Sequence, residues 1–333
     1  MLIDYSIMFI YISQLIITKL TTRDVIMDKR IQLCFNRSLK IISAILFMTS
    51  IERIDAQQTM ANVQIRATSI SDGVYILTGR GGNIGVSVGE DGVFLVDDQF
   101  ALLTDKIKAA IEEITDKPIK FVVNTHWHGD HTGGNENMGK AGAIIVAHEN
   151  VRKRMSIDQF NEVFNRTTPA SPKGALPIVT FTDKMTFHWN GDDINIFHVD
   201  PAHTDGDAII YFTKTNVVHM GDTYFNGVYP YIDVSAGGSI DGVIAAANRV
   251  ISKIDDNTKI IPGHGPLSNK SELKEYRILL ETIRNRIVKL IKEGKSKEEV
   301  IASKPTKDYD ANWGGGFMNP DVWVGILYIS LSK

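Results

Sequence analysis

The sequence predicts a layered α/β sandwich, two β-sheets packed face to face with helices outside them. Two observations carry this prediction. The chain holds two β-rich groups, each followed by helical segments, an order satisfied by two stacked sheets covered by helices. The side chains with metal-ligand chemistry, His126, His203, Asp222 and His264, each stand just after an apolar run. Loops at strand ends carry function because a rigid scaffold positions them.

Taken in order, residues 74–77, 85–89 and 93–97 are short β-type runs, separated by the glycine-rich 79–82 and the turn Glu90-Asp91-Gly92. They read as an antiparallel meander. Leu103, Ile107, Ala110, Ile111 and Ile114 give helical spacing over residues 102–114. Ile119–Val123 is a buried-type strand that runs into Asn124-Thr125-His126. Residues 143–147 form another strand and 150–155 a helix, while the Pro- and Thr-rich stretch around 167–177 is a loop. The second β-rich group comprises 185–189, 194–199, Ala208–Phe212 and 217–220. A helix over 240–254 follows, then the short strand Lys259–Ile261, a long amphipathic helix over 271–293 and a helical segment Lys297–Ala302.

The 333 residues are 43% hydrophobic and 23% charged, with a formal net charge of −3, as in a soluble globular protein with a sizeable core. A nucleic-acid binder would show a basic excess, so the expected partner is a small-molecule substrate. No stretch beyond the N-terminal region is apolar for long enough to span a bilayer. The N-terminus differs. From Met27 the chain sets Lys29, Arg30, Arg37 and Lys40 before an apolar run at 41–51, with Ala56 as a small residue at a cleavage point. That order is the secretory-signal pattern. It predicts an N-terminal extension and signal peptide over residues 1–56, with Met27 the true start, a catalytic domain over 63–333, and a periplasmic or secreted protein. An uncleaved membrane anchor is the alternative, disfavoured because the run is shorter than a span needs. The only cysteine, Cys34, lies in the extension, so removal of the signal excludes disulfides and thiolate ligands from the mature chain.

The chemistry concentrates in His126-Trp127-His128-Gly129-Asp130-His131, where four ligand-type side chains occupy six residues. Imidazole and carboxylate are the usual nitrogen and oxygen donors for zinc and related ions. Such a loop buried without a metal would leave polar groups unpaired. Gly129 is expected to let the backbone turn, and a helix is expected from near Thr132. A solvated loop of ordinary histidines is the competing reading, and spacing this dense argues against it.

At these residues the chain resembles the metallo-β-lactamase superfamily, whose His-x-His-x-Asp-His pattern is intact here. The further elements follow in order: His203 in Ala202-His203-Thr204-Asp205-Gly206-Asp207, Asp222 in Gly221-Asp222-Thr223, and His264 in Pro262-Gly263-His264-Gly265. The resemblance implies a four-layer αβ/βα sandwich with a dinuclear site, two zinc ions by preference and iron, manganese or cobalt as alternatives. His126, His128 and His203 would bind one ion, Asp130, His131 and His264 the other, and Asp222 would bridge them. Asp130 would also orient the nucleophilic water or shuttle a proton.

The implied activity is that of a metal-dependent hydrolase acting on a cyclic amide or ester. The alternatives are a lactonase or thioesterase of the glyoxalase II type, and an iron-dependent oxidoreductase on the same fold. Asp222 stands where one metallo-β-lactamase subclass has cysteine, which makes that subclass a poor match. The flavin-linked oxidoreductases usually have glutamate where this chain has His128. Other residues are weaker candidates. Asp205, Asp207 and His219 could support ligands, Tyr224 and Asn226 could face a substrate, residues 79–83 could form a flap, and Trp313–Phe317 a second wall.

Overall fold

A computed structural model describes residues 60–332. The extension and signal expected over 1–56, with Met27 and Cys34, lie outside the described residues.

The first six strands of the described residues are β1 (Arg66–Ser71), β2 (Val74–Thr78), β3 (Ile84–Ser87), β4 (Val93–Val96), β5 (Ile119–Val123) and β6 (Ile144–His148). With β9 (Val179–Phe181) they form a seven-stranded sheet in the order β1-β2-β3-β4-β5-β6-β9. The first four are the antiparallel meander, and β4, β5, β6 and β9 run parallel. Parallel pairing requires crossovers. These are supplied by α1 (Thr104–Glu112), the single turn α2 (Gly129–Thr132), α3 (Asn135–Lys140) and α4 (Glu149–Met155). The second sheet joins β10 (Lys184–Trp189), β11 (Asp192–His198), β12 (Ala208–Phe212), β13 (Val217–His219) and β14 (Lys259–Ile261), antiparallel except for the parallel pair β13 and β14.

Alternation along the strands builds the layers. Val74, Ile76, Phe94, Val96, Val123 and Val146 of the first sheet meet Ile194, Ile196, Ile210 and Phe212 of the second in one buried cluster. Phe94 sits edge-on to both Phe187 and Phe212, 5.1 and 6.1 Å between centroids. The outer face of the second sheet is covered by α5 (Ile240–Lys253), α6 (Lys270–Lys292) and α9 (Pro320–Leu331), whose apolar faces share a second cluster with Phe197, Ile209 and Val218. The helices of the first half contact the other sheet. The result is the four-layer αβ/βα sandwich, and residues 62–333 make one compact unit. Two short helices, α7 (Lys297–Ala302) and α8 (Asp310–Trp313), complete the C-terminal region. Among the described residues no helix is long and apolar enough to cross a membrane.

Several elements depart from the sequence expectation or were not foreseen by it. The stretch around 167–177 is not all loop. Its start belongs to a hairpin of β7 (Gln159–Asn161) and β8 (Arg166–Thr168), strands too short and too exposed for apolar alternation. The edge strands β1 and β9 also lack a continuous apolar face. The helix α9 is apolar nearly all round, so it carries no period. The helix expected near Thr132 begins at Asn135, after the single turn α2. Gly129 has an ordinary backbone conformation in that turn, and a Cβ there would meet nothing within 4 Å. The turn therefore does not depend on glycine.

Candidate metal centre

The seven side chains singled out in the sequence converge from both sheets at one edge of the sandwich. The loop after β5 brings His126, His128, Asp130 and His131. The loops after β11, β13 and β14 bring His203, Asp222 and His264. Because β13 and β14 are parallel neighbours, their C-terminal loops emerge side by side, and a bridge between Phe225 and His264 keeps them in register. Two groups of donors result, with ligand atoms within 4.8 Å of one another in each: His126, His128, His203 and Asp222, and Asp130, His131 and His264.

Hydrogen bonding orients four of the five imidazoles so that one ring nitrogen of each turns toward the centre. His128 Nε2 donates to Asp233 Oδ2 at 2.9 Å and turns Nδ1 inward. His203 Nδ1 donates to the Tyr231 carbonyl at 2.8 Å and turns Nε2 inward. His131 Nδ1 donates to Asp97 Oδ2 at 2.8 Å, and the Thr125 hydroxyl donates to the same oxygen. That hydroxyl faces His126 Nδ1 at 3.0 Å and accepts from it, which leaves His126 Nε2 bare. Partners of this kind fix ring orientation and basicity in metal sites.

The residues fit a pair of cations. His126 Nε2 and Asp222 Oδ1 are buried without a hydrogen-bond partner, a costly arrangement unless something else binds them. Asp222 Oδ1 lies 3.1 Å from His131 Nε2 but without hydrogen-bond geometry. Ring nitrogens turned toward the centre lie close in pairs, His203 Nε2 and His128 Nδ1 at 2.8 Å, His131 Nε2 and His264 Nε2 at 3.4 Å. Asp222 reaches both groups: its Oδ2 is 3.5 Å from His203 and 3.5 Å from His264. Glycines bring the backbone close, since a Cβ at Gly82 would fall 2.1 Å from the His131 ring and one at Gly263 2.0 Å from Asp222 Oδ1.

Electrostatics follow from burial and crowding. Burial would raise the Asp130 carboxyl, but His131 and His264 hold it at about 2. Burial works against charge on His264 and His131, yet Asp222 and its neighbours raise His264 to about 9 and His131 well above its usual range. Burial dominates at His203, which falls to about 4, and at His126. Without a cation, protons thus gather on the His131–His264 side.

Two supporting residues escaped the sequence reading. Asp97, buried and at φ 65°, accepts from the Thr125 amide, the Thr125 hydroxyl and His131. It follows the apolar run of β4 just as the ligands follow theirs, so the same signal was available. Asp233 follows no strand; it accepts from the Ser235 and Ala236 amides as well as from His128. Of the weaker candidates, Asp207 accepts from the His203 amide and from Thr204, whereas Asp205 pairs with Arg154. Buried His219 donates to the Asn83 carbonyl. Tyr224 does not face a substrate: it is fully buried, its hydroxyl on Ser268 Oγ and its ring against Tyr276. Asn226 donates to the Pro266 carbonyl and Glu272. Three other aromatic side chains border the centre: Trp127, 4.6 Å from the His128 ring, Phe225, stacked 5.0 Å from that of His264, and Tyr231, 5.8 Å from the His128 ring and 5.6 Å from that of His203. Residues 82 and 83 of the expected flap are tied down. Gly82 donates to the Asp130 carbonyl, Gln99 to the Gly82 carbonyl, and Asn83 to the carbonyls of Pro262, Gly263 and Gly265, so the segment is a strap pinned against the ligand loops.

The comparisons with known proteins agree with this architecture. The family described as the metallo-beta-lactamase superfamily matches residues 77–279, more than half of the chain. Among curated proteins, the hydroxyacylglutathione hydrolase of Pelagibacter ubique is 28% identical over 47% of this chain and 57% of its own length. The beta-lactamase-like protein 2 homolog of Caenorhabditis elegans is 23% identical over 80% of this chain and 83% of its own. The chain spans about half the length of the curated relatives it matches first. A solved metallo-beta-lactamase from Pontibacter korlensis superposes with a TM-score of 0.56 at 22% identity, covering 66% of this chain and 99% of that one, a likeness of fold. With its intact His/Asp metal-binding cluster at the edge of the sandwich, the chain belongs to the metallo-beta-lactamase superfamily, a superfamily of metallo-hydrolases.

Proposed function

We propose that this protein is a metal-dependent hydrolase that holds two zinc ions and cleaves a cyclic ester or amide. The observation that carries the reading is the pair of donor groups joined by Asp222, with one bare nitrogen on each imidazole of the first group. His126, His128 and His203 would hold one ion, Asp130, His131 and His264 the other, with Asp222 between them. Two such cations supply Lewis acidity toward a carbonyl oxygen and lower the pKa of water.

The chain's own residues do the rest. Asp130 is the partly exposed carboxylate of the centre, and its low pKa keeps it an acceptor at neutral pH. Its Oδ2 is the atom placed to orient an attacking water and take its proton. Asp97 and Asp233 hold the rings of His131 and His128, so the donors need not reorganise during reaction. Residues 223–238, between Asp222 and α5, contain no lysine or arginine. This stretch offers no cation to a substrate carboxylate, which favours a neutral ester or lactone over a carboxylate-bearing β-lactam. A thioester is the second reading, favoured by the resemblance to the hydroxyacylglutathione hydrolase of Pelagibacter ubique. The signal-like pattern of residues 27–56 supports work outside the cytoplasm.

The test is turnover of lactones, nitrocefin and a glutathione thioester by protein whose metal content is known from elemental analysis. Lactone hydrolysis abolished by Asp130→Asn is the expected result. Two bound metals with no turnover of any of the three would overturn the reading, and iron with redox activity would replace it.

A further inference from the structure

An aromatic strip runs outward from the metal ligands. Tyr231 touches His128 and His203 on one side. On the other it meets Phe164, 5.4 Å between centroids, and Phe164 meets Phe317 at 5.8 Å. Exposure grows along the strip, from 9% at Tyr231 to 42% at Phe164 and 78% at Phe317. Contacts made by rings that remain so wet contribute little to folding. Yet the two outer rings come from segments far apart in sequence, and both segments are held in place.

Phe164 lies in the turn between β7 and β8. Asn161 ties this hairpin to the Tyr231 hydroxyl and to Asp233 Oδ1, and the Glu162 amide donates to Ser235 Oγ. Asp233 is also the partner of His128, so the hairpin and a metal-ligand ring are indexed to the same carboxylate. Phe317 follows α8, where the Tyr229 amide donates to the Trp313 carbonyl and Gly316 packs closely on Val228. Both anchors lie in residues 223–238, the stretch without lysine or arginine.

We propose that Phe164, Tyr231 and Phe317 form the subsite for an uncharged apolar substituent of the substrate, an alkyl chain or aromatic ring extending from the scissile carbonyl. The inference rests on the hydrolase reading only for the metal that anchors the reacting end. Rings preset against fixed partners offer area at little entropic cost. Phe164 and Phe317 thereby become specificity-determining residues in a hairpin and a C-terminal loop, outside the ligand motifs.

The test uses alkyl hydroxamates, whose head binds metal without being hydrolysed. Their affinities for the metal-loaded full chain are measured by calorimetry, from acetohydroxamate to octanohydroxamate. Affinity is expected to rise about two- to fourfold per methylene as the chain covers the strip. Phe164→Ala and Phe317→Ser should each shrink the octano-to-aceto ratio severalfold. Phe317→Ser alters a mostly exposed side chain, so it keeps the test intact if Phe164→Ala loosens the hairpin. An equal affinity across the wild-type series, or an unchanged ratio in Phe317→Ser, would overturn the proposal. Esters of the same chain lengths are assayed in parallel. No cleavage with chain-dependent hydroxamate binding would sink the hydrolase reading and leave the strip standing. Cleavage without chain dependence would do the reverse. If no hydroxamate binds, anchor and strip fall together.

Discussion

A methyl group at position 263 would lie 2.0 Å from Asp222 Oδ1 and 2.6 Å from the backbone carbon of Gly221. The bridging carboxylate and the loop that carries it would both have to move. At Gly129, inside the His-x-His-x-Asp-His motif, the same methyl group would meet nothing. The two glycines look alike in the sequence, each beside a histidine ligand, and only the packing separates them. Gly263→Ala is therefore expected to weaken metal binding by about 10- to 100-fold, the range found when ligand-orienting contacts are lost. Gly129→Ala should leave it unchanged. Metal per chain after dialysis against a graded chelator series reads both, and equal retention by the two variants would refute the argument. The ligands themselves were legible because their residue types are rare together. Asp97 carries the same strand-end signal as the ligands, whereas Asp233 follows no strand and was not legible, because an aspartate that holds a histidine has no spacing of its own.

Elements were legible where apolar residues run together or recur along them. β5, β12, β14 and α7 fall where the sequence places them. The hairpin of β7 and β8 fails that criterion, though it carries part of the proposed substrate wall, while the glycine-rich segment read as a flap is the pinned strap. Chain ends of elements also meet in ways that periodicity does not encode. His148, at the end of β6, stacks on His198, at the end of β11, with ring centroids 3.9 Å apart and planes within 10°. His148 Nε2 donates to the Thr182 carbonyl, and Nδ1 accepts from the Asn150 amide, capping α4. Burial, and then the proximity of His198, lower the His148 pKa from 6.5, against the weaker opposing pull of the Thr182 carbonyl, Glu149 and Asp205. The fold thus prefers neutral His148. Its stabilising contribution is present above the unfolded value of 6.5 and is lost as pH falls through that value toward the folded one. The stability difference between wild type and His148→Gln, taken from urea midpoints, should narrow between about pH 8 and about pH 5. A difference that stays constant would show that the stacked pair does not sense protons. Because the metal ligands are common to both proteins, their own titration cancels in this comparison.

At the scale of the molecule, the centre joins the two halves of the sandwich. His126, His128, Asp130 and His131 follow a strand of one sheet, whereas His203, Asp222 and His264 follow strands of the other. Each donor group draws on both. Cations bound there link the sheets in the folded state only, so free metal at 100 times its dissociation constant should stabilise the fold by about 2.7 kcal/mol per site. A chelator should lower the melting temperature accordingly. The same cluster sets a pH dependence. In the cation-free protein, burial opposes charge on His264, but Asp222 and Asp130 raise its pKa to about 9. A raised histidine pKa stabilises the fold below the unfolded value of 6.5, and that stabilisation is lost as pH rises through about 9. Ligation needs the neutral ring. Metal uptake near pH 7 is therefore expected to release protons from the His131–His264 side, where both pKa values are raised. Above the raised pKa of His264 that contribution should vanish. Calorimetric titration of metal in buffers of different ionisation enthalpy counts the protons released. Release near neutrality that fades at alkaline pH is the expected outcome, together with a melting temperature that rises with free metal. Uptake without proton release would mean that the His131–His264 side does not take part in binding. A melting temperature indifferent to metal would mean that the cations do not hold the two sheets together.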